Sequence, residues 1–362
     1  MSIFKKKLSK IEVNTRGTVP TKSQKSTLIS LADLEEFLKQ ERKNGYKTLR
    51  SWYERLNEET AKEAKEGDKA SLCGVILGNV NKNRYKNLLP YDKYRVILGR
   101  TWNEFREQQI VDPSYHSVVG NYINASYIGV CNMNEAGEIL NQESIADPKF
   151  IITQDPLDNT IGDFWKMIYE QRSPIIINLT GAVTENECQC FWPPEVGKKA
   201  VYSTCGGRMW VQLVHEDQKP VWLERSIKIW PEGYEQLCMY VRQMQYMGWA
   251  INYPPATSNL LKFIDDIANP VVPVASTAGP ITVQCRGGIG RNGFFVTAWI
   301  LKQNIELGMK GVDIYHTIRH LRRYRVGFVN SIEYFVELHK FVLTIYQLIP
   351  KGGFKSVEYL KG

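Results

Sequence analysis

Residues 283–293 read Val283-Gln284-Cys285-Arg286-Gly287-Gly288-Ile289-Gly290-Arg291-Asn292-Gly293. An apolar run leads into the cysteine, and a helical apolar pattern follows the arginine. Glycine lets a backbone curl tightly, so that several N–H groups can point inward, and a helix N-terminus behind them adds positive potential. The stretch therefore predicts an anion-binding loop between a buried strand and a helix.

Two side chains of this loop indicate chemistry on a phosphoryl group. Arg291 can bind two phosphate oxygens in a planar, bidentate geometry. Cys285 follows the strand at the bottom of the positive field, which predicts a lowered thiol pKa and a nucleophilic thiolate. The alternative is an ordinary buried cysteine at a strand end before a glycine-rich turn. The loop alone leaves both interpretations open.

The composition is that of a globular protein. Of 362 residues, 43% are hydrophobic and 23% are charged, which excludes a wholly disordered or collagen-like chain. The longest apolar stretch, Phe294–Leu301, is far shorter than the roughly 18–20 residues that span a bilayer. The odd number of cysteines, seven, and the absence of a signal-peptide pattern predict a cytoplasmic protein with reduced thiols. We expect no metal and no cofactor, since no cysteine or histidine pairs stand at zinc spacing.

Most of the net charge of +8 lies near the N-terminus, where residues 1–25 hold seven basic side chains and one acidic one. Residues 1–26 are therefore predicted to form a disordered, solvated arm. The alternative is a peripheral contact with the anionic inner face of the plasma membrane. Its basic side chains would be Lys5, Lys6, Lys7 and Lys10. Nucleic-acid binding is not expected, because no basic stripe interleaved with aromatic residues occurs in the folded part.

The hydrophobic periodicity predicts one α/β domain. Strands are expected at 94–97, 122–130, 150–153, 175–179, 201–204, 209–215, 224–230, 238–244 and 281–284. Helices are expected at 31–45, 47–64, 162–170, 259–267, 293–304, 311–322 and 331–345. Adjacent strands between 201 and 244 indicate antiparallel pairing within a mixed sheet. The domain would span 27–346, with a helical extension at 27–66 and a C-terminal tail at 347–362.

Several separated motifs resemble those of the protein tyrosine phosphatases of the non-receptor type. Besides the loop at 283–293, they are Lys82-Asn83-Arg84-Tyr85, Tyr122-Ile123-Asn124-Ala125-Ser126-Tyr127-Ile128, Thr153-Gln154-Asp155-Pro156-Leu157, Asp163-Phe164-Trp165, Phe191-Trp192-Pro193 and Arg319-His320-Leu321-Arg322. The resemblance runs from about residue 83 to residue 345. It implies a central twisted mixed β-sheet flanked by α-helices.

The resemblance also implies a role for individual residues. Cys285 would be the nucleophile and Arg291 the phosphate clamp, while Tyr85 would stack on the substrate ring and set the pocket depth. Asn87 stands where the family has an aspartate that holds the peptide backbone. The substrate phosphate would lie against Arg286, Gly287, Gly288, Ile289 and Gly290.

Departures from the family pattern concentrate at positions that carry the chemistry. Ile251 occupies the position of the general acid and cannot donate a proton, a loss of roughly 10²- to 10⁴-fold in rate. Gln284 replaces a histidine and Asn292 a hydroxyl residue, while Asn330 and Tyr334 stand where two glutamines usually orient water. The pattern predicts a divergent, catalytically impaired, pseudophosphatase-like protein that binds phosphotyrosine-containing proteins and regulates signalling.

Two other functions remain open from the sequence. The chain could be an active phosphatase with a substitute acid, either Glu185, Glu187 or a carboxylate of the substrate. It could also be a phosphoinositide-directed or membrane-associated scaffold, guided by Arg286 and the basic arm. Arg286 stands where the family usually has serine, and an extra cation would favour an acidic peptide or an inositol phosphate. A merely solvent-facing arginine is the alternative.

Overall fold

The computed structural model describes residues 26–66, 69–108, 120–130, 133–139, 148–181, 190–250, 253–268 and 278–349. Its strands are β1 (Ile29–Ser30), β2 (Arg95–Ile97), β3 (Tyr122–Ile128), β4 (Phe150–Gln154), β5 (Ile175–Asn178), β6 (Lys199–Thr204), β7 (Gly207–Gln218), β8 (Trp222–Pro231), β9 (Met239–Tyr246), β10 (Ile281–Cys285) and β11 (Gly311–Val312). Its α-helices are α1 (Leu34–Lys43), α2 (Lys47–Glu66), α3 (Leu72–Val75), α4 (Trp102–Gln108), α5 (Ile161–Glu170), α6 (Thr257–Ala268), α7 (Gly290–Glu306), α8 (Ile314–Leu321) and α9 (Ile332–Leu348).

Nine of these strands form one mixed sheet in the order β2-β3-β4-β10-β5-β9-β8-β7-β6. The four strands β4, β10, β5 and β9 run parallel, and the pairs on either side of them are antiparallel. The predicted mixed α/β sheet is thereby confirmed. Because β10 lies between two parallel neighbours, its carboxyl end, at Cys285, opens near the middle of the sheet.

Alternating side chains of the central strands build a separate core on each face of the sheet. Ile152 and Ile177 face the side covered by α7 and α9, whereas Ile151 and Ile176 face the side covered by α5. This period of two is what a strand produces when both of its faces are buried. Large aromatic side chains fill both cores, including Phe294 on one side and Trp165 on the other.

Two predicted helix starts lie three residues too early in the sequence, and the helix expected from residue 293 begins three residues earlier, at Gly290. The helix expected from residue 31 begins at Leu34, because Ile29 and Ser30 pair with Val312 and Gly311. The helix expected from residue 311 begins at Ile314, and Asp313 caps it by accepting a 3.0 Å hydrogen bond from the N–H of His316. The two-stranded β1–β11 ribbon joins segments that are distant along the chain, so local periodicity could not reveal it.

The helical extension packs behind the loop that precedes α9. From α2, the Tyr53 hydroxyl donates to the carbonyl oxygen of Val329 at 3.1 Å. Arg322, which follows α8, donates to Asn57 Oδ1 at 2.8 Å and to the carbonyl oxygen of Phe328 at 2.9 Å. The extension therefore supports the segment that carries Asn330.

Neither a membrane-spanning helix nor a metal-ligand cluster occurs in the ranges that the structure describes. The longest helix there, α2, has 20 residues and carries charged side chains along its length. Such a helix is too polar for the interior of a bilayer.

The buried His339 predicts a pH dependence of stability. Its Nδ1 donates to the carbonyl oxygen of Phe335 at 2.8 Å, and burial lowers its pKa from 6.5 to about 4. Between these two pKa values, the unfolded chain binds a proton at His339 that the folded chain does not bind. The contribution of His339 to the free energy of unfolding is therefore complete above pH 6.5 and decreases as the pH falls towards 4. We expect His339 to account for about 2 kcal/mol of the free energy of unfolding lost between pH 7 and pH 5.

Urea unfolding of the wild type and of His339→Gln at both pH values measures this contribution. The variant should lose less stability on acidification than the wild type. His215→Gln is the matched control, because His215 is exposed and its removal should leave the pH dependence intact. Parallel pH profiles for the wild type and His339→Gln would contradict the assignment.

Candidate active site

The loop that the sequence predicts to bind an anion follows β10 and leads into α7. The N–H of Gly288 donates to the carbonyl oxygen of Cys285 at 3.1 Å, and α7 begins two residues later, at Gly290. Gly288 has a φ of +71°, and a Cβ there would lie 2.8 Å from the backbone nitrogen of Gln154. Only glycine therefore allows the loop to pack this closely against β4.

A cavity of about 460 Å³ opens above this loop. Most of the predicted site residues line it, namely Cys285, Arg286, Gly287, Ile289, Gly290, Arg291, Tyr85 and Asn330. Gly288 turns towards β4 beneath the cavity, and Asn87 is exposed outside its lining. The structure thus brings together predicted residues from three separate parts of the chain.

Arg291 is anchored from the neighbouring strand. Its Nη1 donates to the carbonyl oxygen of Leu179, just after β5, at 3.0 Å. The side chain is half-buried and lines the cavity. A guanidinium fixed at one nitrogen keeps its remaining donors for the oxygens of a bound phosphate.

The expected lowering of the Cys285 pKa was wrong. Burial raises the pKa of the thiol above its ordinary value, and the carboxylate of Asp155 raises it further. The backbone N–H groups of Asn292 and Gly288 and the charge of Arg291 act in the opposite direction without reversing the shift. A positive loop alone therefore does not make this cysteine a thiolate.

Gln284 and Asn292 use their side chains to join strand ends. Gln284 is fully buried, and its Nε2 donates to Asp155 Oδ1 at 3.1 Å. The Nδ2 of Asn292 donates to the carbonyl oxygens of Thr153 and Val283, both at 3.1 Å. Neither side chain can supply a cation beside the sulfur.

Arg286 lies at the rim of the cavity and contacts the predicted ring-binding residue. Its Nε donates to the Tyr85 hydroxyl at 3.0 Å. The backbone of Gly287 passes so close that a Cβ there would lie 3.3 Å from the ring of Tyr85. Arg286 is exposed, yet it is directed over the pocket mouth rather than away from it.

The wall opposite Tyr85 holds Asn330 in a strained segment. Val329, just before it, has a φ of +53°, which is uncommon for a β-branched residue. The hydroxyl of Tyr53 and Nη2 of Arg322 both donate to its carbonyl oxygen, at 3.1 Å each. Asn330 Oδ1 occupies the space where a Cβ of Gly290 would be, so Gly290 allows the two segments to meet.

Trp249 and Glu333 complete the site, and neither was among the residues predicted from the sequence. Nε1 of the buried Trp249 donates to the Tyr334 hydroxyl at 3.2 Å, which anchors the end of the β9 segment to the cavity wall. Glu333 also lines the cavity, and its position in the first turn of α9, three residues after Asn330, was the available signal. Ile251, Glu185 and Glu187 lie outside the described residues.

The family model of the protein-tyrosine phosphatases matches residues 79–344. "Phosphatidylinositol phosphatase PTPRQ" of Rattus norvegicus is 30% identical over 296 residues, 81% of this chain and 11% of that protein. "Receptor-type tyrosine-protein phosphatase eta" of Gallus gallus is 29% identical over 347 residues, covering 95% and 22%. "Tyrosine-protein phosphatase non-receptor type ptp-2" of Caenorhabditis elegans is 31% identical over 304 residues, covering 72% and 42%.

The chain spans less than half the length of each of these relatives. The matched region nevertheless contains the whole nine-stranded sheet and the loop between β10 and α7. Because it also holds every described residue that lines the cavity, the chain belongs to the protein-tyrosine phosphatase family.

Proposed function

We propose that this member of the family binds phosphotyrosine proteins in the cavity, turns them over poorly or not at all, and regulates signalling by holding them. One observation carries the proposal. Arg291 and the start of α7 supply anion donors to the cavity, whereas burial and the Asp155 carboxylate raise the pKa of its cysteine thiol, and Glu333 is the one carboxylate among its described lining residues.

Several donors converge where a phosphate would lie. Arg291 is anchored to the carbonyl oxygen of Leu179 and lines the cavity, and the 17-residue helix α7 begins at the loop. The positive end of a helix of this length favours an anion. Tyr85 forms the opposite rim, where an aromatic phosphate ester could stack on its ring.

Turnover requires proton transfers that these side chains support poorly. The leaving tyrosinate has a conjugate-acid pKa of about 10, so its unprotonated departure near neutral pH is slow. Ile251, which the sequence places at the acid position, has no proton to give. Asn330 has no titratable group, and burial raises the pKa of Tyr334, so neither is a base for water.

Titration of a phosphotyrosine peptide into the purified chain tests both parts of the proposal. We expect saturable binding to the wild type and to Cys285→Ser, with no binding of the unphosphorylated peptide. Phosphate release by the wild type should stay close to that of Cys285→Ser. Turnover well above this background would show that the chain is a working phosphatase. Failure of the peptide to bind would contradict the proposal that the cavity holds phosphotyrosine proteins.

An active enzyme with a substitute acid is the second candidate, because Glu333 reaches the cavity. If Glu333 donates the proton, Glu333→Gln should remove nearly all phosphate release while leaving peptide binding intact. Glu337→Gln, one turn further along α9, is the matched control. Equal turnover in these two variants would exclude Glu333 as the acid.

A phosphoinositide ligand is the third candidate, favoured by the cationic rim at Arg286 and by the name of the relative PTPRQ. A soluble inositol phosphate then competes with the phosphotyrosine peptide, and Arg286→Leu weakens the inositol phosphate more strongly. If Arg286→Leu instead weakens binding of the phosphotyrosine peptide more than binding of the inositol phosphate, the phosphoprotein ligand is favoured.

A further inference from the structure

Asp155 brings a buried carboxyl group beneath the phosphate-binding loop. The residue follows β4 and is 1% exposed. Its backbone N–H donates to the carbonyl oxygen of Cys285 at 3.0 Å, and the neighbouring Gln154 is the register partner of Cys285. The carboxyl group and the thiol therefore belong to adjacent strand ends that are hydrogen-bonded to each other.

Two neutral donors hold the Asp155 carboxyl group. Nε2 of Gln284 donates to Oδ1 at 3.1 Å, and the Thr180 hydroxyl donates to Oδ2 at 2.6 Å. Donors of this kind favour the ionised form of a carboxyl group. They come from β10 and from the end of β5, so the two strands that flank the site both fix its position.

A carboxylate and a thiolate on residues whose backbones are hydrogen-bonded to each other compete for a single negative charge when both are buried. Burial raises the pKa of the Cys285 thiol, and the Asp155 carboxylate raises it further. In a buried region, a second negative charge beside the first is strongly disfavoured. Both effects favour the protonated form of the sulfur.

We propose that Asp155 is a positioning residue that holds Cys285 as a neutral thiol and so keeps the loop a non-covalent phosphate receptor. Covalent transfer would form an S–P bond and break the P–O bond to tyrosine, which leaves as tyrosinate. The sulfur must lose its proton before it can supply the electron pair, and Asp155 opposes that loss. The inference rests on the proposed function, but the ionisation of the thiol can be measured without any phosphate ligand.

The other charged and titratable groups around the sulfur divide into two sets. Arg291 from α7 and the buried Arg325 from the segment after α8 favour a thiolate. Tyr334 from α9 is uncharged and adds no such support. Since Arg325 also donates to Asn124 Oδ1 at 2.6 Å, its charge is already engaged in a hydrogen bond. The net shift of the Cys285 pKa is upward, in agreement with the geometry.

The rate of Cys285 alkylation by iodoacetamide, followed across pH by peptide mass spectrometry, tests the proposal. The mass of the Cys285 peptide separates this thiol from the other cysteines. In Asp155→Asn, which keeps the shape and removes the charge, the midpoint should move to lower pH. Alkylation at pH 7 should become about tenfold faster.

Asp158→Asn is the matched control, because it removes the same charge from an exposed position three residues away. Its alkylation profile should equal that of the wild type. Identical profiles for all three proteins would overturn the proposal. The wild type alone gives a second test that no folding defect can obscure, since a midpoint below that of an ordinary thiol would also overturn it. Failure of phosphopeptide binding would contradict the proposed function and leave this result unaffected.

Discussion

Arg291→Lys should reduce the affinity for a phosphotyrosine peptide about a hundredfold, although the charge is unchanged. Lysine offers a single ammonium group in place of a planar fork, so it cannot bind two phosphate oxygens while keeping the hydrogen bond to Leu179. Losing a charge-assisted bidentate contact costs about 3 kcal/mol, which corresponds to that factor. Isothermal titration calorimetry of both proteins with the same peptide gives the ratio.

Arg208→Lys is the control for this result. Arg208 is exposed on β7, where it pairs with Glu232 at 2.7 Å, far along the sheet from the loop. Its replacement should leave peptide affinity within twofold of the wild type, on the order expected for a distant surface change. An Arg291→Lys protein that binds as tightly as the wild type would show that the peptide is held elsewhere.

Ile251→Asp should raise the turnover of a phosphotyrosine peptide about 10²-fold, because it restores a proton donor for the leaving tyrosinate. The gain should be smaller for p-nitrophenyl phosphate, whose leaving group is a weaker base and needs less protonation. Phosphate release under saturating substrate measures both values. Adding Asp155→Asn should increase the rate further, since the sulfur would then ionise more readily.

Asn252→Asp is the matched control, because it introduces the same charge one residue away. It should give little gain, since the general acid must reach the ester oxygen in a defined geometry. The Ile251→Asp gain should also vanish in a Cys285→Ser background. Equal gains from the two aspartates, or a gain that survives Cys285→Ser, would contradict the missing-acid interpretation.

The elements of the fold could be predicted because their signals are local. All nine strands of the main sheet were predicted from alternating or continuous apolar runs, with ends that differ by a few residues. The short helices α3 and α4 and the β1–β11 ribbon were missed. The ribbon depends on Ile29 meeting Val312, and α4 has only seven residues, too few for a clear helical period.

The loop after β10 was also predictable, since it lies in a single stretch of glycines between a strand and a helix. Tyr85 and Asn330 were proposed as its partners from the order of separated motifs, and both line the cavity. The Tyr334–Trp249 hydrogen bond and the presence of Glu333 were not foreseen. Both features depend on how α9 is rotated about its axis relative to the loop. Tertiary packing determines this rotation, and the local sequence does not.

The amino-acid order was enough to predict the glycine-rich loop and its arginine and to place Ile251 at the acid position, because these predictions follow from which groups are present at which spacing. The ionisation state of Cys285 was not available in this way, and its prediction from the loop was wrong. The pKa of a thiol depends on burial and on charges that other segments bring beside it. Asp155 is 130 residues away along the chain, and the pairing of β4 with β10 brings its backbone against that of Cys285.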